Sequence, residues 1–303
     1  MSILLDKDFT FIVQGITGRE AVNLTRECLD YGSGARVVGG VTPGRLGRDV
    51  HGVPVFDTVA QAVEAHGGPI DGSVVTVPPA FTRDAVFEAI ANGIKLVVIV
   101  TERIPRRDVA QMVEFADAHG ARIIGPNCLG IIVPDVIKMG GIGGPAVDAA
   151  KSYKRGSIGV ISRSGGMTTE MSSTLSAAGL GQSTAVSIGG DAIIGSTYAE
   201  LMPLFEADPE TKAIVIYTEP GGRMEAQLAE YGPKLPVVAF MAGRFMDEMP
   251  GMSFGHAGTI VEGKEDTATE KIARLAEAGI TVAEEISQIP EIMRAKLAER
   301  SPA

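Results

Sequence analysis

The stretch FTFIVQGITGREAV, Phe9–Val22, decides the fold of the N-terminal half of the chain. A short apolar run ends at Gly15, and residues with helical spacing begin after Gly18. Small residues between a strand and a helix let backbone amides approach a phosphate group at the helix N-terminus. Ala21 completes a Gly-x-x-Gly-x-x-Ala spacing. Taken alone, this motif favours a phosphate-binding turn and a tight turn without a ligand about equally.

The same order of a buried apolar run and a helical run repeats along most of the chain. Further predicted strands of the first half are ARVVGGV, GSVVTVPP, KLVVIVT and RIIGPN. Those of the second half are GSIGVIS, QSTAVSIGG, KAIVIYT and PVVAFMAG. Strands that alternate with helices form parallel sheets covered by helices on both faces. We therefore predict an α/β fold with two doubly wound parallel-sheet domains.

The alternation breaks once, in the Gly- and Pro-rich segment from Cys128 to Gly156, which has poor periodicity. We predict that this segment connects the two domains, with the boundary near residue 145. The predicted domains are residues 1–145 and 146–303. A length of 303 residues suits two domains of ordinary size.

Composition limits the classes of protein that this chain can be. Hydrophobic residues make up 45% and charged residues 21%, which is typical of a globular protein with ample core material. A net charge of −10 argues against nucleic-acid binding. We expect no membrane span and no secretory signal, because no run approaches ~20 apolar residues and the N-terminus lacks a basic region before an apolar core. Cys28 and Cys128 give neither a disulfide framework nor metal-ligand spacing, so we expect a cytoplasmic protein without a metal site.

A basic pair follows the second predicted strand. A nicotinamide-binding fold would place an acidic residue at the end of this strand, to hold a ribose hydroxyl. Arg45 and Arg48 stand there instead. Cations at this position favour a ligand with an additional phosphate group and argue against NAD.

A histidine among very small residues is the most informative titratable group. His256 lies in GMSFGHAGTIVEG, between Gly255 and Ala257. Small flanking residues indicate a loop that enters tight places and an imidazole that meets more than one partner. Glu219, in YTEPGG at the end of a predicted strand, could orient this imidazole through Nδ1–H and leave Nε2 free as a nucleophile. The alternative for Glu219 is a solvated turn residue.

Two other junctions lie at carboxyl ends of predicted strands, where ligands bind in open parallel sheets. Glu102 lies in VTERIP, and its alternative is a salt-bridged surface residue. Ser164 precedes Gly165 and Gly166 in ISRSGGMTTEM, where the free amides of a helix start would attract an anion. The alternative there is an ordinary capped helix.

Taken together, these stretches resemble the α subunit of succinyl-CoA synthetase and its acid–CoA ligase relatives. The similar stretches span nearly the whole chain and come in the family's order: MSILLDKDFTFIVQGITGRE, VVGGVTPGRLG, GVPVFDTVAQAV, VTERIP, IIGPNCLGII, GSIGVISRSGG, GQSTAVSIGGDAIIGSTY, FEADPETKAIVIYTEPGG and FGHAG. The resemblance implies a Rossmann-like CoA-binding domain followed by a flavodoxin-like ligase domain.

The resemblance also implies a reaction. ATP or GTP with Mg²⁺, bound to a separate ATP-grasp β subunit, phosphorylates a histidine of the α subunit. The phosphohistidine loop carries the phosphoryl group to a carboxylic acid, and the CoA thiolate attacks the resulting acyl phosphate to give an acyl-CoA. The assembly is a heterodimer or heterotetramer, and the acid is a di- or tricarboxylic acid.

The family's functional positions fall on particular residues of this chain. His256 is in the place of the phosphorylated histidine and Glu219 in that of its orienting carboxylate. The positions that match the CoA-contacting stretches are Thr17, Gly18, Arg19, Glu20, Arg45, Val100, Thr101 and Glu102. The positions that match the phosphate and acid site are Ser164, Gly165, Gly166 and Thr169.

Departures from the family pattern cluster at the acid site. Gly166 replaces a Thr, Thr169 replaces a Tyr, and Phe254 precedes GHAG, as in ATP-citrate lyase and citryl-CoA synthetase. The smaller side chains of Gly166 and Thr169 leave room for an acid larger or more polar than succinate, such as citrate or malate. Two more distant alternatives stay open at this point. One is a nicotinamide-binding oxidoreductase, and the other is a non-catalytic CoA-binding module that would not need His256.

Overall fold

A computed structural model describes residues 3–32, 36–252 and 254–300 of the chain. The predicted strand ARVVGGV starts at Ala35, which lies outside the described residues, as do residues 1–2 of the first predicted domain and 301–303 of the second. The first half contains the strands β1 (Thr10–Gln14), β2 (Arg36–Val41), β3 (Asp49–Val50), β4 (Val53–Phe56), β5 (Gly72–Val75), β6 (Leu96–Ile99) and β7 (Arg122–Ile124). Its helices are α1 (Arg19–Leu29), α2 (Val59–His66), α3 (Pro79–Ala91) and α4 (Arg106–Ala118).

These strands form one seven-stranded sheet in the order β3-β4-β2-β1-β5-β6-β7. Each neighbouring pair is parallel except the two-residue β3, which is antiparallel to β4 at the edge. Every residue of β5 and β6 is buried, as parallel strands covered on both faces require. The predicted parallel sheet of the first half is therefore confirmed apart from its edge.

The second half forms another seven-stranded sheet. Its strands are β8 (Gly130–Val133), β9 (Ile137–Met139), β10 (Arg155–Ser162), β11 (Gln182–Ser187), β12 (Ala213–Thr218), β13 (Val237–Met241) and β14 (Thr281–Ala283). The helices are α5 (Ala146–Ser152), α6 (Gly165–Ala177), α7 (Tyr198–Ala207), α8 (Met224–Tyr231), α9 (Ala268–Glu277) and α10 (Ile289–Arg300). The order is β14-β13-β12-β10-β11-β8-β9, and the five strands from β14 to β11 are parallel to one another.

The segment predicted to connect the domains differs from that expectation. Its residues Gly130–Val133 and Ile137–Met139 form β8 and β9, which extend the second sheet as antiparallel strands. The glycines that suggest a loop instead permit close backbone contact, because a Cβ atom on Gly130 would lie 2.0 Å from the Met139 carbonyl oxygen. The chain therefore passes from the first sheet to the second between Ile124 and Gly130, before the predicted boundary near residue 145.

The two sheets meet through the loops that follow β7 and β11. Asn127 Nδ2 donates a hydrogen bond to Asp191 Oδ1 over 3.0 Å, and the Gly195 amide donates to the Gly125 carbonyl over 2.8 Å. Since both loops follow carboxyl ends of strands, the ligand-binding edges of the two sheets face a common region. No helix in the described parts of the chain is both long and apolar enough to cross a membrane.

Candidate active site

The candidate active site lies at the carboxyl edge of the second sheet. Glu219 follows β12, Arg163 follows β10 and Gly190 comes after β11. These three strands are neighbours in the sheet, so their carboxyl ends lie side by side. The sheet order thus brings together three segments that are far apart in sequence, and the loop with His256 lies against them.

His256 and Glu219 form a hydrogen-bonded pair. His256 Nδ1 lies 2.8 Å from Glu219 Oε2, and the side chains are 27% and 10% exposed. A carboxylate can only accept a hydrogen bond, so Nδ1 carries the proton and donates it. This tautomer leaves the lone pair of Nε2 available as a nucleophile. A mostly buried carboxylate with this partner excludes the alternative of a solvated turn residue.

Glycines opposite the histidine permit this close packing. A Cβ atom on Gly190 would lie 2.3 Å from the His256 ring, and one on Gly221 would lie 2.4 Å from the Gly258 carbonyl oxygen. Any larger residue at either position would displace the loop. The small flanks of His256 indicate a crowded loop from the sequence, whereas the two glycines that accommodate it become evident only in three dimensions.

Hydrogen bonds hold the histidine loop against the sheet edge. The Gly258 amide donates to the Gly190 carbonyl over 3.1 Å. Thr259 is buried, and its hydroxyl lies 2.7 Å from the carbonyl oxygens of both Phe254 and His256. The turn around His256 is therefore closed on itself and docked on Gly190, which fixes the position of the imidazole.

A buried ion pair supports the turn that carries Glu219. Lys271 Nζ lies 2.6 Å from Glu225 Oε2 and donates to the carbonyls of Glu219 and Gly221 over 3.0 and 2.6 Å. Burial lowers the pKa of Lys271, and the neighbouring Glu225 opposes that change. Thr218 donates to the other oxygen of Glu225. The buried ion pair and its hydrogen bonds thus fix the backbone on both sides of the Glu219 turn.

Neither Lys271 nor Arg163 is predicted from the sequence to belong to the site. Lys271 lies on the stripe of α9 that also carries the buried Ala268 and Leu275, at helical spacing. A lysine on an apolar stripe signals a buried partner. Arg163 stands inside the SRSGG motif and is only 2% exposed, but a cation at the end of a strand carries no signal of burial in the sequence.

The residues predicted to bind CoA gather at the carboxyl edge of the first sheet. Thr17 and Gly18 follow β1, and Gly18 begins α1 without any side chain capping the helix. Arg19 and Glu20, in the first turn, are exposed and paired with each other over 3.1 Å. Arg45 follows the neighbouring β2, and its side chain is exposed. An uncapped helix start and an exposed cation after the neighbouring strand suit the phosphate groups of a ligand such as CoA.

The third predicted CoA stretch links this edge to the histidine loop. The Thr101 hydroxyl donates to the Val77 carbonyl over 2.7 Å, next to the half-buried Val100 at the end of β6. Glu102 pairs with Arg103 over 3.4 Å, as the surface alternative predicts. It also lines a cavity of about 350 Å³ whose other walls include Asn127, Asp191, Gly255 and Ala257. This cavity therefore runs from the first sheet to the residues that flank His256.

The predicted phosphate and acid residues lie at the start of α6. Ser164 caps this helix, with Oγ 3.5 Å from the Met167 amide. Gly165 packs on Leu129, while a Cβ atom on Gly166 would meet nothing within 4 Å. Thr169 is hydrogen bonded to Tyr153 over 2.9 Å. At this junction the residue that contacts the histidine loop is Arg163, which precedes Ser164. The roles of the four predicted residues therefore stay predictions.

A second cavity of about 440 Å³ lies on the other side of the histidine loop. Its walls include the cations Arg106, Arg163 and Arg223 and the carboxylates Glu262 and Asp266. It shares Arg106 and several apolar residues with the first cavity, so the two are adjacent. In the described parts of the chain, no group of three or more His, Cys, Asp or Glu side chains could hold a metal ion.

Comparisons with known proteins agree with this architecture. Residues 6–103 match the model of the CoA binding domain, and residues 155–295 match that of the succinyl-CoA ligase like flavodoxin domain. Succinate–CoA ligase [ADP-forming] subunit alpha 1 of Archaeoglobus fulgidus is 42% identical over 97% of this chain and 98% of its own length. The SauD subunit of the ADP-forming sulfoacetate–CoA ligase of Bilophila wadsworthia is 40% identical over 98% and 100%.

A solved structure shares the fold of the whole chain. The ATP citrate lyase of Methanosaeta concilii, in complex with (3S)-citryl-CoA, superposes with a TM-score of 0.91 at 24% identity, over 98% of this chain. The chain spans about half the length of that protein, 50%. The likeness supports a Rossmann-like domain followed by a flavodoxin-like domain.

The fold and the matched domain models define a protein of the acid–thiol ligase class with a CoA-binding domain. Within that class, the near full-length similarity places it in one family. The chain belongs to the family of the succinate–CoA ligase α subunits.

Proposed function

We propose that this chain is the α subunit of a nucleotide-dependent acid–CoA ligase in which His256 carries the phosphoryl group. The observation that carries the proposal is the 2.8 Å hydrogen bond between His256 Nδ1 and the mostly buried Glu219. It presents an unprotonated Nε2 from a loop that lies between two cavities. Neither a nicotinamide enzyme nor a passive CoA-binding module has a use for this pair.

The proposed chemistry consists of two transfers at Nε2. In the first, the Nε2 lone pair bonds to the terminal phosphorus of a nucleoside triphosphate, and the bond from that phosphorus to the nucleoside diphosphate breaks. Glu219 stabilises the positive charge of the imidazole through Nδ1–H. In the second, a carboxylate oxygen of the acid attacks the phosphorus and the P–N bond breaks, which restores the neutral histidine. The CoA thiolate then attacks the acyl carbon of the acyl phosphate, the C–S bond of the thioester forms, and the C–O bond to phosphate breaks, so that inorganic phosphate leaves.

The CoA substrate is proposed to lie along the carboxyl edge of the first sheet. Its phosphate groups would be held by the start of α1 at Gly18 and by Arg45. Its thiol arm would pass Glu102 into the 350 Å³ cavity beside the histidine loop. Support comes from the CoA binding domain model over residues 6–103 and from the order of β2, β1, β5 and β6 in the sheet.

The nucleotide is proposed to bind to a separate ATP-grasp β subunit, as ATP or GTP with Mg²⁺. The first sheet of this chain belongs to a CoA-binding domain and the second to a flavodoxin-like domain. Its relatives are named as α subunits. We expect the chain alone to lack nucleotide-driven turnover.

The two cysteines are buried free thiols, which suits a reducing cytoplasmic compartment.

For the acid substrate we propose a di- or tricarboxylic acid, with succinate as the reference. Citrate or malate is the second candidate, because the start of α6 is open at Gly166, which stands where the family has a larger residue. Sulfoacetate enters the comparison because a relative at 40% identity is named for it. The arginines that line the 440 Å³ cavity would accommodate a second anionic group.

The test is a panel of acids with the purified α and β subunits, read as formation of CoA thioester. We expect turnover with at least one dianionic or trianionic acid and none with the α subunit alone. Turnover on succinate far above all other acids would defeat the citrate and malate candidates. Absence of thioester with every acid, in a complex that binds nucleotide and CoA, would overturn the ligase proposal.

A further inference from the structure

Arg163 is a buried cation without an anionic partner. Its side chain is 2% exposed, and its only hydrogen bonds in the described parts of the chain run from Nη2 to the carbonyls of Gly190 and Asp191, over 3.4 and 3.3 Å. Nε and Nη1 are buried and have no hydrogen-bond partner among the described residues. Two of the three guanidinium nitrogens are therefore unsatisfied in this state of the protein.

Leaving a buried charge unpaired is costly, so this arrangement calls for an explanation. Arg163 lies near the phenols of Tyr198 and Tyr217, which are neutral at physiological pH, and near the ammonium group of Lys271, which is paired with Glu225. The Glu219 carboxylate lies near the same two phenols but is hydrogen bonded to His256, and Glu262 and Asp266 line the 440 Å³ cavity together with Arg163. None of the carboxylates in the described parts of the chain forms an ion pair with the guanidinium.

The place where a negative charge would arise is the histidine loop. A Cβ atom on Gly258 would lie 2.3 Å from Arg163 Nη2, so the guanidinium packs directly against the backbone two residues after His256. Gly190, whose carbonyl receives Nη2, is also the residue on which the imidazole lies. Arg163 and His256 therefore both pack against Gly190, and Arg163 also lines the 440 Å³ cavity.

We propose that Arg163 is the buried counter-charge for the phosphoryl group on His256. It balances the roughly two negative charges that phosphorylation adds there. The inference rests on the proposed phosphohistidine. It assigns to Arg163 the positioning and stabilisation of the phosphoryl oxyanion, through Nε and Nη1, which have no other partner. The unphosphorylated protein is accordingly the electrostatically incomplete state of the site.

The test uses phosphoramidate, which phosphorylates histidine without nucleotide or β subunit. The phosphoramidate P–N bond breaks, ammonia leaves, and a P–Nε2 bond forms on His256. We expect phosphorylation to raise the melting temperature of the full-length protein by several degrees. We also expect the second ionisation of the phosphoryl group, followed by ³¹P NMR, to occur about one pH unit lower than in an Arg163→Met variant.

Arg163→Met should fold, because replacing an unpaired buried cation by an apolar side chain is often neutral or stabilising. In this variant phosphorylation should no longer raise the melting temperature, whereas Arg163→Lys should keep part of the rise. Arg155→Met is the matched control, since Arg155 stands at the opposite end of β10 and pairs with Glu210. A His256→Asn protein shows how much the other histidines contribute to each signal, and this contribution is subtracted.

Three results would overturn the inference. The first is a rise in melting temperature and a phosphoryl pKa that are equal in wild type and Arg163→Met. The second is failure of phosphoramidate to modify His256 while the exposed His66 reacts. The third is an Arg163-dependent stabilisation by citrate or succinate without phosphorylation and none by phosphorylation, which would assign the guanidinium to the acid's carboxylate. The proposed function fails by a different result, the absence of nucleotide-dependent label on His256 in the complex.

Discussion

The two strand-to-helix junctions of this chain, Gln14–Arg19 and Ser162–Gly166, share a sequence pattern and differ in their surroundings. The first is open: Gly18 and Arg19 are exposed, and no side chain caps the helix. The second is enclosed on the strand side and open only at Gly166: Ser164 caps the helix, and Arg163 is buried against the histidine loop. An open helix start suits a ligand that arrives from solution, whereas an enclosed cation suits an anion brought in by the chain itself.

This difference teaches that a glycine-rich junction alone does not define its ligand. At the first junction the carbonyl of Gly15 closes the turn, receiving the Gly18 amide over 2.9 Å, and the helix amides remain directed outward. At the second junction the neighbouring loops decide, because Gly190 and Gly258 admit an imidazole and a guanidinium at short distance.

The largest effect is expected from His256→Asn. It removes the nucleophile, so thioester formation by the αβ complex should fall by at least about 10⁴-fold. CoA binding, measured by calorimetry, should stay within twofold, since the first junction is untouched. His66→Asn is the control, because His66 is exposed at the end of α2. Activity of His256→Asn near the wild-type level would exclude a phosphohistidine and leave a CoA-binding module.

Lys271→Met should cause the largest loss of stability. It leaves the carboxylate of Glu225 buried without its cation, which costs about 3–5 kcal/mol. Denaturant unfolding of the purified chain measures this loss. Lys264→Met, at a side chain that is 89% exposed, should change stability little. A double variant with Glu225→Met should recover much of the loss, and if it recovers none, the ion pair is not the support that we describe.

Glu219→Gln should reduce catalysis and leave the fold intact. The amide keeps a hydrogen bond to His256 but cannot stabilise a positive imidazole, so the rate of phosphoryl transfer should fall about 10²–10³-fold. Rapid-quench measurement of phosphohistidine formation separates this step from CoA binding. Glu262→Gln, on the exposed part of the same region, serves as the matched control. An unchanged rate of phosphorylation would show that the pair serves structure alone.

Arg45→Ala should act only on the open junction. It removes one charge-assisted contact to phosphate, so CoA should bind about tenfold more weakly. If Arg45 contacts the ribose phosphate of CoA, the substitution should reduce the affinity for CoA without that phosphate less than the affinity for CoA itself. Arg36→Ala is the control, because Arg36 is exposed and pairs with Asp8. Equal weakening for both ligands would place Arg45 elsewhere on the cofactor, and phosphorylation of His256 should not change in either case.

The smallest effect is expected for the two cysteine thiols, Cys28 in α1 and Cys128 in the segment between the two sheets. Burial raises the pKa of Cys28 to about 11 and that of Cys128 to about 12, so both are protonated and shielded at pH 8. Iodoacetamide should therefore modify neither in the native protein at that pH, and both after denaturation. Rapid modification of Cys128 in the native state would indicate that the segment between the two sheets opens readily.

Much of the fold was predictable because its signals are local. Alternating apolar and helical runs define the parallel strands, and the glycine between β1 and α1 defines the first junction. The strands β3, β4, β8, β9 and β14 were not predicted. The strands β8 and β9 lie in a segment whose Gly and Pro residues indicate a connection, and they pair with the second sheet only through tertiary contacts. Gly130 resembles a loop residue in sequence and acts instead as a point of close backbone approach.

The candidate site divides in the same way. His256 was identified by its small neighbours and Glu219 by its position at the end of a predicted strand, and the structure brings them within 2.8 Å. Arg163 and Lys271 were missed because their importance comes from burial, which depends on how loops after β10, β11 and β12 pack together. The sheet order that juxtaposes these loops is not encoded in any single motif.

The central claim is that His256 carries the phosphoryl group, and locating that group tests it most directly. The αβ complex is incubated with labelled nucleotide, or with acyl-CoA and labelled phosphate, and the modified peptide is mapped by mass spectrometry under basic conditions. We expect one acid-labile, base-stable phosphoryl group on His256, formed from either direction and absent in His256→Asn. A label on another residue, or catalytic turnover without any label on His256, would contradict the account.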